Sequence, residues 1–158
     1  MAASRVDLLI RIVDEAFRRK AWHGTTLRGS LTSVDAGRAV ARPAAQRHNV
    51  AELALHTAYW KYTLRRRLTG EKRGGFAHKG SNWFKVDSLD AQRWKEIVAL
   101  LEGEHEALLA VIGGLRDAAL DRKPPNGGIW TVSQMISGIA AHDLYHTGQI
   151  QLVKRLIR

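Results

Sequence analysis

The chain has 158 residues, 45% of them hydrophobic and 25% charged, a composition typical of one globular domain over residues 1–158. It contains no cysteine, which excludes a disulfide framework, a thiolate zinc site and a cysteine nucleophile. Charged residues interrupt the apolar runs near the N-terminus, and no stretch reaches the roughly 18 apolar residues of a membrane span. We therefore expect a cytoplasmic protein without membrane contact, in which any metal site uses imidazole, carboxylate or water.

The formal net charge of +10 makes a nucleic-acid partner one hypothesis. The densest cationic run is Arg65-Arg66-Arg67, at the end of a predicted helix, where cations complement the negative end of the helix dipole. No helix-turn-helix, zinc-finger or RNA-recognition signature accompanies the charge. Solvated helix ends are the favoured interpretation, and a nucleic-acid-associated protein stays the weaker alternative.

Helical periodicity begins at the start of the chain. Apolar residues spaced by three and four predict a first helix over about residues 3–21, which stops near Gly24. A short helix is predicted over 35–42, because Asp35 can cap its start and Pro43 ends it. This short helix lies inside the first connection, which is longer than a tight hairpin.

The second and third long helices follow on either side of a glycine-rich segment. The second is predicted over about 47–69, with Gly70 placed to close it in the left-handed conformation. Residues 70–89 predict a long irregular loop, a kind of segment that is often functional. The third is predicted over about 89–120, although the pair Gly113-Gly114 weakens it near its end.

The fourth long helix is predicted to begin at Thr131 or Ser133, after a loop over 124–128, and to reach the C-terminus. Four long amphipathic helices without a convincing strand predict an all-α fold, a four-helix bundle.

Three histidines fall on the inward faces of two predicted helices. The apolar stripe of the fourth helix lands on His142 and His146, and His56 lies between Leu53 and Trp60 on the stripe of the second. Burying an imidazole without a partner costs on the order of 1–3 kcal/mol, so three of them need a common explanation. One explanation is a metal ion bound by all three, and the other is three separately hydrogen-bonded core histidines.

Helix geometry also indicates which neighbouring residues could bind the same ion as the three histidines. His48 lies eight residues before His56, about 12 Å along the helix axis, and cannot share an ion with it. Asp143 projects about 100° away from His142, and the Glu of the His-Glu-x-x-His protease signature is absent. His105 falls on the inward stripe of the third helix, where a satisfied core histidine is favoured over a fourth ligand.

Taken in order, these motifs resemble the DinB-like (DinB/YfiT) superfamily. The matching segments are an early Trp-His-Gly, the Glu-Leu-Ala-Leu-His-Thr-Ala-Tyr-Trp around His56, and the His-Asp-Leu-Tyr-His-Thr-Gly-Gln-Ile that contains His142 and His146. The resemblance covers nearly the whole chain and implies an up-down-down-up four-helix bundle, often a homodimer. It also implies a divalent metal ion (Zn, Ni, Fe or Mn) bound by His56, His142 and His146, with Gln149 just outside the ligands.

Candidate functions follow from the same resemblance. Characterised members of the family include thiol-dependent transferases and hydrolases, so the leading hypothesis is a metal-dependent hydrolase or thiol S-transferase that acts on a small molecule, such as a thiol. The ion would lower the pKa of a bound water or thiol, under a loop that contains Trp83-Phe84. The second hypothesis is a non-catalytic bundle that holds a metal or ligand. No residue is assigned as catalytic, because no carboxylate is placed as a general base.

Overall fold

The computed structural model describes residues 4–157, and every regular element among them is helical. In chain order these are α1 (Arg5–Phe17), α2 (Leu27–Ser30), α3 (Ala36–Val40), α4 (Val50–Thr69), α5 (Ala91–Gly113), a 3-10 turn (Asp117–Ala119) and α6 (Val132–Leu156). The described residues contain no strand, which confirms the predicted all-α class. Within the same range no helix combines the length and the apolar character needed to cross a membrane.

Side-chain caps fix where the four long helices begin. Each of them follows a residue whose side-chain oxygen accepts a hydrogen bond from a backbone N–H of the first turn. These residues are Ser4 for α1, Asn49 for α4, Asp90 for α5 and Thr131 for α6. Thr131 rather than Ser133 therefore marks the start of α6. At the other end of α4, Gly70 has a φ of 80°, the left-handed conformation predicted for it.

The end of α1 differs from the prediction. The helix ends at Phe17 rather than near residue 21, and the predicted start near residue 3 lies outside the described residues. The backbone N–H groups of Arg18 and Arg19 both bond to the carbonyl of Asp14, and both side chains pair with its carboxylate. No buried apolar residue follows Phe17 directly, so nothing holds a further turn against the core.

Two other boundaries differ for local reasons. α5 ends at Gly113 rather than near residue 120, because Gly114 caps it and the chain turns into the 3-10 segment. The first connection holds two short helices rather than one. Asp35 caps α3 as predicted, whereas α2 is a single turn capped by Thr26, too short to leave a period in the sequence.

Packing between the helices defines the topology. α1 and α4 each pack against α5 and α6, so α1 and α4 occupy opposite corners of the bundle. α6 runs parallel to α1. Arg5 at the start of α1 pairs with Asp121, whose neighbour Arg122 accepts a hydrogen bond from the first residue of α6. Lys154 near the end of α6 bonds to the carbonyl of Ser30 in α2, the helix that follows α1. The start of α4 lies beside the end of α6, and the start of α1 packs on the end of α5. This is the up-down-down-up order implied by the resemblance.

Two apolar clusters fill the bundle, and a buried polar layer separates them. One cluster joins the starts of α4 and α5 to the end of α6. The other joins the ends of α4 and α5 to α1 and to the start of α6. Between the clusters Lys61 of α4 pairs with Asp143 of α6, and His105 of α5 bonds to Asp14 of α1. All four side chains are almost completely buried.

Candidate metal centre

The structure brings His56 of α4 together with His142 and His146 of α6. Nε2 of His142 lies 3.1 Å from Nε2 of His56 and 3.0 Å from Nε2 of His146. Because His142 and His146 are four residues apart, consecutive turns of α6 present both rings to α4. His56 and His146 are buried and His142 is partly buried. The three imidazoles therefore form one largely buried group of ring nitrogens.

Hydrogen bonds at the opposite ring nitrogens orient two of the imidazoles. Nδ1 of His56 lies 2.8 Å from the backbone carbonyl oxygen of Asn82, and Nδ1 of His146 lies 2.7 Å from Oε1 of Gln149. Because both oxygens can only accept, each Nδ1 carries the hydrogen and donates it. In a neutral imidazole the remaining nitrogen, Nε2, then has a free lone pair. Nε2 of His56 and Nε2 of His146 each lie about 3 Å from Nε2 of the third ring, His142.

A divalent cation fits this arrangement better than hydrogen bonds among the histidines. Nε2 of His142 faces two Nε2 atoms, but a neutral ring has one hydrogen and can donate it to only one of them. An ion about 2.0–2.1 Å from each nitrogen holds adjacent imidazole ligands about 3 Å apart, which matches the structure. The outer hydrogen bonds of His56 and His146 are also those that orient metal-binding histidines.

Burial keeps these histidines uncharged near neutral pH. It lowers the pKa of His56 to about 4 and the pKa of His142 to about 3, and for His142 the two neighbouring imidazoles act in the same direction. Burial also lowers the pKa of His146, against the opposing effect of its hydrogen bond to Gln149. Neutral imidazole is the form that binds a metal ion, so the site needs to release no proton before binding one.

The segment between α4 and α5 covers one side of the site. The ring of Trp83 stacks between two imidazoles, with its centroid 3.8 Å from that of His56 and 3.7 Å from that of His48. Trp83 thus lies over the site as expected for this loop. Phe84 is instead buried in the apolar core, with its ring centroid 5.6 Å from that of Tyr59 in α4 and edge-on to it.

Two of the residues weighed from the sequence lie outside the group. His105 is buried against Phe17, and its Nε2 lies 3.0 Å from Oδ1 of Asp14, as expected for a core histidine rather than a fourth ligand. Its Nδ1 has no hydrogen-bond partner among the described residues, so the ring is satisfied on one side only. His48 precedes α4, and its Nδ1 lies 2.9 Å from a carboxylate oxygen of Glu52.

Sequence reasoning missed the partner of Asp143. The structure pairs this carboxylate with the ammonium group of Lys61, and both side chains are fully buried. A signal was available, because Lys61 lies three residues from the buried Ala58 and from the buried Leu64. An inward lysine on one helix and an inward aspartate on another predict a buried pair once the two helices are known to touch.

The chain is similar to a known protein family. The family model of the DinB superfamily matches residues 20–150, which include α4, α5 and all three candidate ligands. No curated protein and no solved structure matches the chain.

Proposed function

We propose, from the premise that this chain belongs to the DinB superfamily, that it binds a divalent metal ion through His56, His142 and His146. The observation that carries the proposal is the convergence of three imidazole nitrogens, two of them with free lone pairs, in a largely buried group. Imidazole ligands suit Zn, Ni and Fe, and Mn completes the set of candidates.

The proposed activity is that of a metal-dependent enzyme, either a hydrolase or a thiol S-transferase. When bound, the ion would supply a Lewis acid that lowers the pKa of a coordinated water or thiol. The chain itself contributes three neutral ligands, which leave the charge of the ion uncompensated. Asn82 and Gln149 hold two of the rings in position, and Trp83 excludes water from one side.

Metal analysis of the purified protein tests the ligand assignment. We expect about one divalent ion per chain in the wild type, and loss of most of it in both His56→Ala and His142→Ala. His23→Ala removes an exposed histidine from the turn after α1 and is the matched control, which should keep the ion. Stoichiometric metal that survives both ligand substitutions would refute the assignment.

A non-catalytic bundle that holds a metal or ligand is the second candidate. It is favoured by one observation: among the described residues, no carboxylate oxygen lies within 4.8 Å of all three imidazole nitrogens. A screen of the metal-loaded protein with thiols and electrophiles separates the two candidates. Turnover that disappears in His142→Ala supports the enzyme, whereas tight metal binding without turnover supports the second candidate.

The homodimer implied by the family is also part of the proposal. Light scattering on the eluting peak of a size-exclusion column measures the mass directly. We expect twice the chain mass of 17.6 kDa. A mass equal to that of one chain at every concentration tested would contradict the dimer.

Contacts made by the basic residues in the fold weaken the hypothesis of a nucleic-acid partner. Arg65 pairs with Glu71 and Glu104, and the buried Arg66 bonds to the backbone carbonyl of Glu71. Two cations of the densest basic run are therefore engaged within the protein. The alternative predicts duplex binding that weakens steeply with salt, and an absence of binding at low salt would eliminate it.

A further inference from the structure

A cleft between α4 and α6 opens beside the candidate metal centre. Its volume is about 170 Å³, and its wall is mostly apolar, with Trp60 and Leu64 on α4 and Ile139 on α6. His142 forms part of the same wall. The neighbouring cleft beside His48 and Gln149 has none of the three candidate ligands in its wall. The first cleft is therefore the better placed of the two to deliver a molecule to the metal centre.

One cation lies in the wall of this apolar cleft. Arg67 is half-buried and, unlike Arg65 and Arg66, makes no hydrogen bond or ion pair with the residues that the structure describes. Thr63 adds a hydroxyl group to the same wall. A guanidinium group in partly apolar surroundings recognises a carboxylate strongly, through two parallel charge-assisted hydrogen bonds.

A glycine keeps the cleft open on the α6 side. Gly138 belongs to the wall, and a Cβ atom added to it would meet nothing within 4 Å. A large side chain at this position would occupy the cleft rather than collide with the protein. Gly138 therefore offers a way to block the cleft without disturbing the core.

The cleft has two chemically different ends. Trp60 and Arg67 are seven residues apart, about 10 Å along α4. At the Trp60 end the indole meets the ring of His142 edge-on, with the centroids 6.2 Å apart. A molecule whose anionic group binds Arg67 therefore extends its other end towards the candidate metal centre.

We propose that this cleft binds the substrate, a small molecule that has a carboxylate at one end of an apolar body. The carboxylate binds Arg67, and the reacting end lies beside His142. The volume is smaller than the roughly 300–1,000 Å³ of sites for drug-sized ligands, which restricts the substrate to a short chain or a single ring. This inference rests on the proposed function, since the reacting end needs the metal ion.

Binding of hexanoate, with hexanamide as its neutral counterpart, tests the cleft by NMR titration. We expect hexanoate to bind about tenfold more tightly than hexanamide, and Arg67→Gln to abolish that preference. Arg116→Gln removes an exposed arginine elsewhere and should have no effect. Gly138→Leu should weaken both probes about tenfold by filling the cleft, whereas Gly138→Ala should leave both nearly unchanged.

The same titrations on metal-free and zinc-loaded protein separate this inference from the proposed metal site. Because the carboxylate binds Arg67, we expect the effects of Arg67→Gln and Gly138→Leu in both forms, even if the histidines bind no metal. Hexanoate that binds only the zinc-loaded protein, unaffected by either substitution, would show carboxylate ligation to the ion and overturn the inference. Failure of hexanoate to bind either form would overturn it as well.

Discussion

Lys61 and Asp143 bury two opposite charges completely at the level where the two apolar clusters meet. Burial raises the pKa of Asp143, and the ammonium group of Lys61 opposes this by favouring the ionised carboxylate. The second oxygen of Asp143 has no hydrogen-bond partner among the described residues. In such a pair the loss of hydration largely offsets the attraction, so its net stabilisation is small.

Removing one partner of this pair should cost much more than removing both. Asp143→Leu leaves Lys61 buried and uncompensated, and we expect the free energy of unfolding to fall by about 3–5 kcal/mol. The double variant Lys61→Met/Asp143→Leu replaces the pair with apolar side chains and should recover most of that loss. Urea unfolding of the three proteins measures both effects. A double variant as unstable as the single one would contradict this account of the pair.

His105 should make the stability of the metal-free protein depend on pH. Burial lowers its pKa to about 4 from the ordinary 6.5, with Lys61 acting in the same direction and Asp14 opposing. Between these pH values the unfolded chain binds more protons than the folded chain. The contribution of neutral His105 to the free energy of unfolding is therefore complete above pH 6.5 and is lost as the pH falls towards 4. The corresponding loss is on the order of 3 kcal/mol, and His56 and His142 add to it in the same direction.

Urea unfolding at several pH values between 6.5 and 4 measures this dependence. His105→Gln removes one of the buried histidines whose pKa is lowered and should flatten the slope. An unchanged slope would contradict the assignment of a depressed pKa to His105.

At the scale of the elements, α4 and α6 were the most predictable. Each has a capping residue at its start and an apolar stripe along its length, so their sequences predict both the helix and its inward face. The pairing of His142 with His146 follows from helical spacing alone. The approach of His56 depends on which helices touch, and periodicity does not contain that information. The family resemblance supplied it.

The loop between α4 and α5 holds details of the site that the sequence could not predict. The carbonyl of Asn82 that orients His56 belongs to the main chain, and a carbonyl has no sequence signature. Asn82 also has a φ of 65°, a left-handed conformation that asparagine adopts more often than most residues. The stack of Trp83 between His48 and His56 likewise depends on the path of the whole segment.

The loop between α4 and α5 should slow the release of a bound ion. Trp83→Ala removes the ring that covers His56, so we expect zinc to pass to a strong chelator about tenfold faster than from the wild type. Stopped-flow absorbance with a coloured chelator measures the rate. Trp130→Ala removes an exposed tryptophan outside the site and is the control. Equal rates for Trp83→Ala and the wild type would show that the loop does not shield the metal.

At the scale of the whole molecule, the metal site links α4 to α6, two of the four helices of the bundle. Binding to the folded state alone should therefore stabilise the protein. At a free zinc concentration of about one hundred times Kd the gain is about 2.7 kcal/mol, or roughly 5–10 °C in Tm for a chain of this size. Calorimetry with zinc and with chelator measures the difference. His56→Ala should show almost none, and a large difference that persists in this variant would place the stabilising ion elsewhere.

In the proposed site, one metal ion binds between α4 and α6. Anomalous diffraction from a crystal of the metal-loaded protein, recorded on both sides of the absorption edge of the metal, tests it directly. We expect one strong peak about 2.0–2.3 Å from Nε2 of each of His56, His142 and His146. A fully loaded crystal whose peak lies away from these three nitrogens would contradict it.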